Sequence, residues 1–355
     1  MRQTRRSIDV GLVRPKGSFG GPQKYSSELA KLLVHRGKSV TIDDIKSGNF
    51  SVVSPVISFT INTMLLDLSK YKLIHNPCAY PMYNIRLAKD QILLTTAHEF
   101  QARIYPEISR LTTHTIKDSL WLYLAVLPSL NVILSSDYLM ANSLQTLNEA
   151  VSLGFPKKKI FYAPHGIDRR FFTKLPKKTK RREFQVGYIG TLTPRKNIPS
   201  IIRMFKLIDD KSVKLEFWGK SIFRAGELER IIENDNRISL MGELSEQKLI
   251  AKYDSFDVFL HPSMYEGFGL PIQEAKARGL PVIIFKNSKI SQEVRKYCFE
   301  ARDEEHMAEI ILNIRRNGYN EKQRKKAMLQ ARQFTWERTA QKTLEAYAKI
   351  LGKDI

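Results

Sequence analysis

The sequence predicts an α/β protein made of two similar domains, each a doubly wound parallel sheet covered by helices. Three observations predict it. At 355 residues the chain exceeds the length over which one hydrophobic core usually keeps growing. Short apolar runs of strand length alternate with segments of helical periodicity, the pattern of a parallel sheet with crossover helices. That alternation is interrupted between Phe172 and Phe184 by "TKLPKKTKRRE", a polar stretch with six basic residues and almost nothing to bury. The expected organisation is a first domain over 1–172, a basic linker over 173–183, a second domain over 184–335 and a terminal helix over 336–355.

The elements follow in order. "IDVGLV" (8–13) reads as a strand, and its loop ends in Gly20-Gly21. A helix follows, with Tyr25, Leu29, Leu32 and Leu33 at helical spacing, until Gly37 stops it before the strand "KSVTI". "YKLIH" (71–75), "QILLTTAH" (91–98) and "NVILSS" (131–136) are further strands. The longest apolar run, "LWLYLAVLPSLNVIL" (120–134), falls short of the ~20 residues needed to cross a bilayer and contains Pro128 and Asn131. It reads as a buried helix followed by a strand. After the linker the pattern restarts: "FQVGYIGTL" is a strand, "NIPSIIRMFKLI" a helix with Ile201, Ile202, Phe205 and Ile208 on one face, and "VKLEFWG" a strand. "ISLMG", "VFLHPS" and "LPVIIF" complete the second set. In the final stretch Trp336, Ala340, Leu344, Tyr347 and Leu351 form one apolar stripe of a helix that needs a surface to lie on.

Composition narrows the function classes. Cys78 and Cys298 are the only cysteines, far apart and outside any Cys-x-x-Cys or Cys/His cluster, so neither a disulfide framework nor a structural zinc is expected. A reducing interior fits this usage. The apolar part of "MRQTRRSIDVGLV" breaks at Arg14, too early for a signal-peptide core, and the expected location is cytoplasmic. A formal charge of +22 attracts anions of several kinds: nucleic acid, anionic lipid and nucleotide phosphates.

The most specific local grammar lies in "PSMYEGFGLPIQEAKARGLPVI" (262–283). Pro271 suits a first helical turn, and Gly279 followed by Pro281 ends a helix, which puts Glu274 in the opening turns. Glycines at 267 and 269 let backbone approach a ligand, and a helix N-terminus presents unpaired N–H groups to anions. A carboxylate amid phosphates would be repelled, so Glu266 and Glu274 are read as pointing to either side and accepting hydrogen bonds from hydroxyls. For isolated glutamates, a helix cap and a solvated loop charge are the competing reading.

These residues resemble the family-four glycosyltransferases, retaining enzymes with the two-domain GT-B architecture. Glu266 and Glu274 match that family's Glu-x(7)-Glu motif within the Pro-Ser-x-x-Glu-Gly-Phe-Gly-Leu-Pro context at 262–271. The resemblance implies two Rossmann-like domains facing across a cleft and a terminal helix crossing back. By resemblance, Glu266 contacts hydroxyls of the donor sugar, Glu274 the nucleotide ribose, and the backbone of Phe268, Gly269 and Leu270 the sugar and diphosphate.

Three further constellations join it. In "YIGTLTPRKNIPSII" (188–202), Arg195 and Lys196 stand before a helix start, where two cations can stabilise charge growing on a departing diphosphate. This segment resembles the family's Gly-x-Leu-x-x-x-Lys loop. Gly20 and Gly21, with Glu28 and Leu29 behind them, match its Gly-Gly-x(6)-Glu-Leu pattern, which the resemblance assigns to the donor diphosphate. His98 ends a strand, where open α/β sheets bind ligands, and matches the family histidine that meets the donor sugar. His75 resembles the preceding family position. His165 stands in "APHGID" where asparagine is usual, and neither histidine is given a chemical role. The chain departs from the family pattern in "LEFWGKS", which lacks a Gly-x-Gly, and in "RKYCFEARD", which replaces a glycine-rich element.

The implied reaction moves a sugar, with retention, from a nucleotide diphosphate sugar to a hydroxyl acceptor on a glycan or a lipid-linked molecule. No cofactor and no metal are expected, because Arg195, Lys196 and helix-end amides replace a divalent cation. Two other classes explain the charge. One is a nucleic-acid-binding protein, although no nucleic-acid motif is present. The other is a peripheral protein docked on an anionic inner membrane face through Arg2, Arg5, Arg6, Arg103 and Arg110.

Overall fold

The computed structural model describes residues 9–15, 21–34, 40–46, 55–80, 82, 90–100, 126–176, 182–223 and 226–354. Gly20, the arginines at 2, 5, 6, 103 and 110, and linker residues 177–181 lie outside the described residues. The chain divides into two compact units, Met1–Gly166 together with Trp336–Ile355, and Ile167–Thr335.

The first unit is a six-stranded parallel sheet in the order β2-β1-β3-β4-β5-β6. Its strands are β1 (Val10–Arg14), β2 (Ile42–Lys46), β3 (Leu73–Asn76), β4 (Ile92–Ala97), β5 (Tyr138–Ala141) and β6 (Ile160–Tyr162). Interior strand β1, next to the edge, is buried along its whole length, as a strand covered on both faces must be. Edge strand β2 is "IDDIK", half exposed, with charges that protect an open edge. The expectation placed this strand on "KSVTI", whose apolar alternation is the stronger signal. Of that segment Val40 is buried, and the pairing starts at Ile42 against Val10.

One sequence expectation fails here. "NVILSS" is not a strand: Leu127–Ser135 is a helix with Pro128 in its first turn. Ser135 Oγ donates to Asn131 O at 2.6 Å and Ser136 Oγ to Val132 O at 2.7 Å, the i to i−4 bonds of a helix. The strand role passes to the shorter "YLMA", which sits between β4 and β6.

The chain's last helix, Trp336–Leu351, is part of the first unit's core. Its stripe of Trp336, Ala340, Leu344, Tyr347 and Leu351 packs with Tyr25, Leu29 and Leu33 of the helix Gly21–Leu33 and with Val10, Leu12, Leu73 and Leu94 of the sheet. Beyond the helix, Lys353 donates to Asp9 Oδ1 at 2.6 Å just before β1, a second tie on the chain end.

The second unit has six parallel strands in the order β12-β11-β10-β7-β8-β9. They are β7 (Phe184–Ile189), β8 (Val213–Trp218), β9 (Ile238–Gly242), β10 (Val258–Leu260), β11 (Val282–Phe285) and β12 (Phe299–Ala301). The order reverses between β7 and β10, and a crevice at the carboxyl ends of such a pair is where open α/β sheets bind ligands. On one face pack Ile198, Ile201, Ile202 and Phe205 of the helix Ile198–Lys206; on the other pack Tyr253, Phe256, Ile272 and Val294. Gly187 is required by the second layer, since a Cβ there would lie 2.3 Å from the Phe256 ring.

The units divide at Gly166/Ile167, ahead of the expected boundary after Phe172. The reason is Arg278, buried in the second unit. It pairs with Asp254 through Nε and Nη2, and its Nη1 donates to Phe171 O at 3.1 Å and Thr173 O at 3.0 Å. Ile167 and Phe171 fill the same core.

Candidate functional site

In the second unit two loops meet at the strand-order reversal. After β7 the chain passes Gly190, continues pairing through Leu192 N to Lys220 O at 2.9 Å, and makes a 310 turn at Pro194–Lys196. Left-handed Asn197, with φ 51°, then turns it into the next helix. Gly219, at the end of β8, must be glycine: its φ is +145° and a Cβ would stand 2.0 Å from Gly190 O. After β10 comes the loop His261–Gly269. Met264 N donates to Arg195 O at 3.2 Å and Arg195 Nη1 to Tyr265 O at 2.9 Å, so each loop holds the other.

Their side chains converge on Glu266, which is 7% exposed. Its Oε1 accepts from the Lys196 ammonium and, at 2.9 Å, from His261 Nε2, while Arg195 Nη1 stands 3.7 Å from Oε2. Burial alone would push this carboxyl up. Lys196, the His261 hydrogen bond and Arg195 outweigh it and hold Glu266 well below the usual carboxylate range. Burial pushes His261 down, more than Glu266 beside it raises it. A neutral ring donating from Nε2 leaves Nδ1 as an acceptor, and that atom is buried without a hydrogen-bond partner, as are Ser263 Oγ and Thr193 Oγ1 in the same two loops.

The sequence reading set Glu266 apart from the phosphate-binding cations. The structure instead joins them: Lys196 and Arg195 both face the Glu266 carboxylate. Glu274 sits elsewhere in the motif's geometry. It lies in the helix Leu270–Ala277, is 9% exposed and accepts from Tyr253 OH at 2.9 Å. Phe268 turns its ring into the core against Phe334, centroids 5.4 Å apart. Gly269 caps this helix with φ 88°, and Leu270 begins it. His261 and Tyr253 were missed by the sequence reading. His261 had a usable signal, since it follows a strand end as His98 does.

In the first unit, Gly21 opens its helix, and a Cβ there would meet nothing within 4 Å, so no crowding in the described structure demands glycine. His98 follows β4 and is buried. Its Nε2 donates to Pro77 O at 2.7 Å, which makes Nδ1 the acceptor for His165 Nε2 at 3.3 Å. Tyr25 meets both rings edge-on, with centroids 4.9 and 4.7 Å away. Nearby, His75 bonds Tyr347 OH at 2.6 Å and Thr96 Oγ1 at 2.8 Å. Burial pushes His75 down to about 3, His98 down to about 4 and His165 well below the usual histidine value. All three rings are therefore neutral at physiological pH. Among the described residues no cluster of three or more His, Cys, Asp or Glu side chains could hold a metal ion, and no helix is long and apolar enough to cross a membrane.

Comparison with known proteins agrees with the motif reading. Residues 183–317 match the family model described as "Glycosyl transferases group 1". O-antigen chain mannosyltransferase B of Escherichia coli is 30% identical over 169 residues, 45% of this chain and 44% of that protein. A GDP-mannose-dependent alpha-mannosyltransferase of Mycobacterium tuberculosis is 30% identical over 155 residues, 42% of this chain and 39% of that one. This chain thus spans less than half the length of either relative. Among solved structures, sucrose-phosphate synthase from Thermosynechococcus elongatus aligns with a TM-score of 0.74 at 18% identity, covering 97% of this chain and 99% of that one. Anabaena HepE in complex with UDP and glucose aligns with a TM-score of 0.66 at 16% identity, covering 96% and 99%. At these identities the likeness is one of fold, and it is the GT-B fold.

Proposed function

From a chain whose residues 183–317 match the model of the group 1 glycosyl transferases, we infer a retaining glycosyltransferase that moves a sugar from a nucleotide diphosphate sugar to a hydroxyl of a glycan or lipid-linked acceptor. The observation that carries it is the centre of Arg195, Lys196 and Glu266 at the strand-order reversal of the second unit. Mannose is the sugar proposed and GDP its carrier, since sequence relatives are mannosyltransferases and two of them are named as GDP-mannose-dependent.

In this reading the donor diphosphate takes over the cations that Glu266 now neutralises, and Glu266 turns its acceptor oxygens to the sugar hydroxyls. Buried Ser263 Oγ, Thr193 Oγ1 and His261 Nδ1, without partners, supply further polar contacts there. Glu274 takes the ribose, the backbone of Phe268, Gly269 and Leu270 the diphosphate, and Gly20, Gly21 and His98 serve the donor from the first unit. As the bond from the sugar's anomeric carbon to phosphate oxygen breaks, Lys196 and Arg195 stabilise the charge left on that oxygen. The acceptor oxygen bonds the same face of the carbon, and its proton passes to the departing phosphate. With charge supplied by side chains, the reaction is proposed to need no metal. The basic surface is proposed to bring the protein to the anionic inner face of a membrane carrying its acceptor; equal flotation with neutral and anionic vesicles would remove that part.

The test is turnover with a panel of radiolabelled nucleotide sugars, with and without EDTA. The expected result is transfer from GDP-mannose, unaffected by chelation and lowered about 1000-fold in Glu266→Ala and Lys196→Ala. Full turnover in both variants contradicts the reading.

A further inference from the structure

Lys276 lies two residues beyond Glu274 on the same helix and is fully buried. Residues two apart on a helix face roughly opposite ways, so its stem runs into the interior behind the site. There the ammonium donates to Val294 O at 2.7 Å, Lys296 O at 3.2 Å and Gln330 Oε1 at 2.7 Å. All three acceptors are neutral oxygens. A charge buried without a carboxylate is costly, and burial accordingly pushes Lys276 down to about 8. An apolar side chain of the same length would fill the space without that cost, so the hydrogen bonds explain what a lysine does there.

Two acceptors, Val294 O and Lys296 O, belong to the end of the four-residue helix Gln292–Arg295, whose last carbonyls lack helical partners. A helix this short does not hold its shape alone. The ammonium caps it from outside the segment, and Gln330, donating to Glu293 O at 2.5 Å, grips its other side. The helix in turn shapes the preceding loop: Arg295 donates to Lys286 O at 2.8 Å and Ser288 O at 3.2 Å. That loop carries Lys289, whose carbonyl accepts from Glu266 N at 2.9 Å and whose N–H donates to Met264 O at 2.7 Å.

We propose that Lys276 is a positioning residue of the donor site: through the helix Gln292–Arg295 and the loop at 286–291 it fixes the backbone that sets Glu266 against Lys196 and His261. The link to the donor rests on the function proposed above; the mechanical link to Glu266 does not.

The experiment compares wild type, Lys276→Met and Gln330→Met, the milder change, by hydrogen exchange without ligand and by kinetics with GDP-mannose. In Lys276→Met, exchange is expected to accelerate about tenfold over 286–298 and also at 264–266, with a smaller acceleration in Gln330→Met. The donor KM should rise about tenfold while kcat changes less than about threefold, as expected for misplaced binding groups. If Lys276→Met does not fold, the same pattern at lower amplitude in Gln330→Met decides the matter. Unchanged exchange at 264–266, or faster exchange there with an unchanged donor KM, overturns the proposal. Absence of turnover in the wild type strikes the proposed function instead, and the ligand-free exchange still decides the link to Glu266.

Discussion

The strand ends of the first sheet carry three buried neutral histidines, His75, His98 and His165, held by Tyr347, Thr96, Pro77 and one another. Those of the second sheet carry Arg195 and Lys196 on one buried carboxylate. Both sheets are parallel and six-stranded, so the backbone offers the same kind of crevice twice. What differs is how burial is made tolerable: by giving up charge in the first unit, and by pairing it in the second. A neutral cluster shapes a surface, whereas a paired one can exchange its carboxylate for another anion.

Acid should break the comparison most strongly. Below the ordinary histidine value of 6.5, unfolded rings take up protons that the folded ones, lowered by burial, refuse. The first unit's stability is therefore complete above that pH and falls as pH drops toward about 3 for His75 and about 4 for His98. At pH 5 these two rings should each cost about 2 kcal/mol, and His165 acts in the same direction. Glu266 acts in the same direction over a lower window: its contribution is full above 4.5 and is lost only as pH falls through a value well below that. The second unit has one buried histidine of the first kind, His261. Hydrogen exchange mapped onto each unit between pH 7 and pH 5 should show the first unit opening earlier; simultaneous loss would contradict the assignment of neutral rings.

Substitution sharpens the contrast next. Lys196→Ala removes the direct partner of Glu266 and should lower turnover about 1000-fold, the scale of losing a charge-stabilising group. His98→Ala, which removes a ring already engaged by Pro77 and His165, should cost about tenfold. Steady-state kinetics check both, and a larger loss at His98 would move the centre of the chemistry to the first unit. Smaller again is Tyr347→Phe. It strips the hydroxyl from His75 Nδ1 and should cost about 1–2 kcal/mol in denaturant unfolding, with nucleotide binding unchanged. Helix caps should show no contrast at all. Ser143→Ala in the first unit and Asp303→Ala in the second each remove an acceptor for a helical N–H, from Thr146 N at 3.0 Å and His306 N at 2.8 Å. Each should cost about 1 kcal/mol without affecting turnover.

The second unit was the more legible of the two. Its strands carry continuous apolar runs such as "LPVIIF", its glycines mark strand ends, and Glu266 and Lys196 stand inside a motif with fixed spacing. The first unit was harder for physical reasons. "NVILSS" has the length and β-branching of a strand, but Pro128 commits it to a helix, and periodicity cannot separate the two in so short an apolar run. Edge strand "IDDIK" hid behind its charges, and the second unit had one such case, β12, hidden in "RKYCFEARD". The ion pair at Glu266 was illegible because Lys196 and Glu266 stand 70 residues apart in sequence and only the fold brings them together. Lys276 gave no signal, since a lysine in a helix normally faces water.

The most direct test of the central claim is calorimetric titration of GDP-mannose into wild type, Lys196→Ala and His98→Ala. The account predicts binding to wild type, weakening of about 100-fold in Lys196→Ala, and at most about tenfold in His98→Ala. Equal affinity of Lys196→Ala and wild type would contradict it.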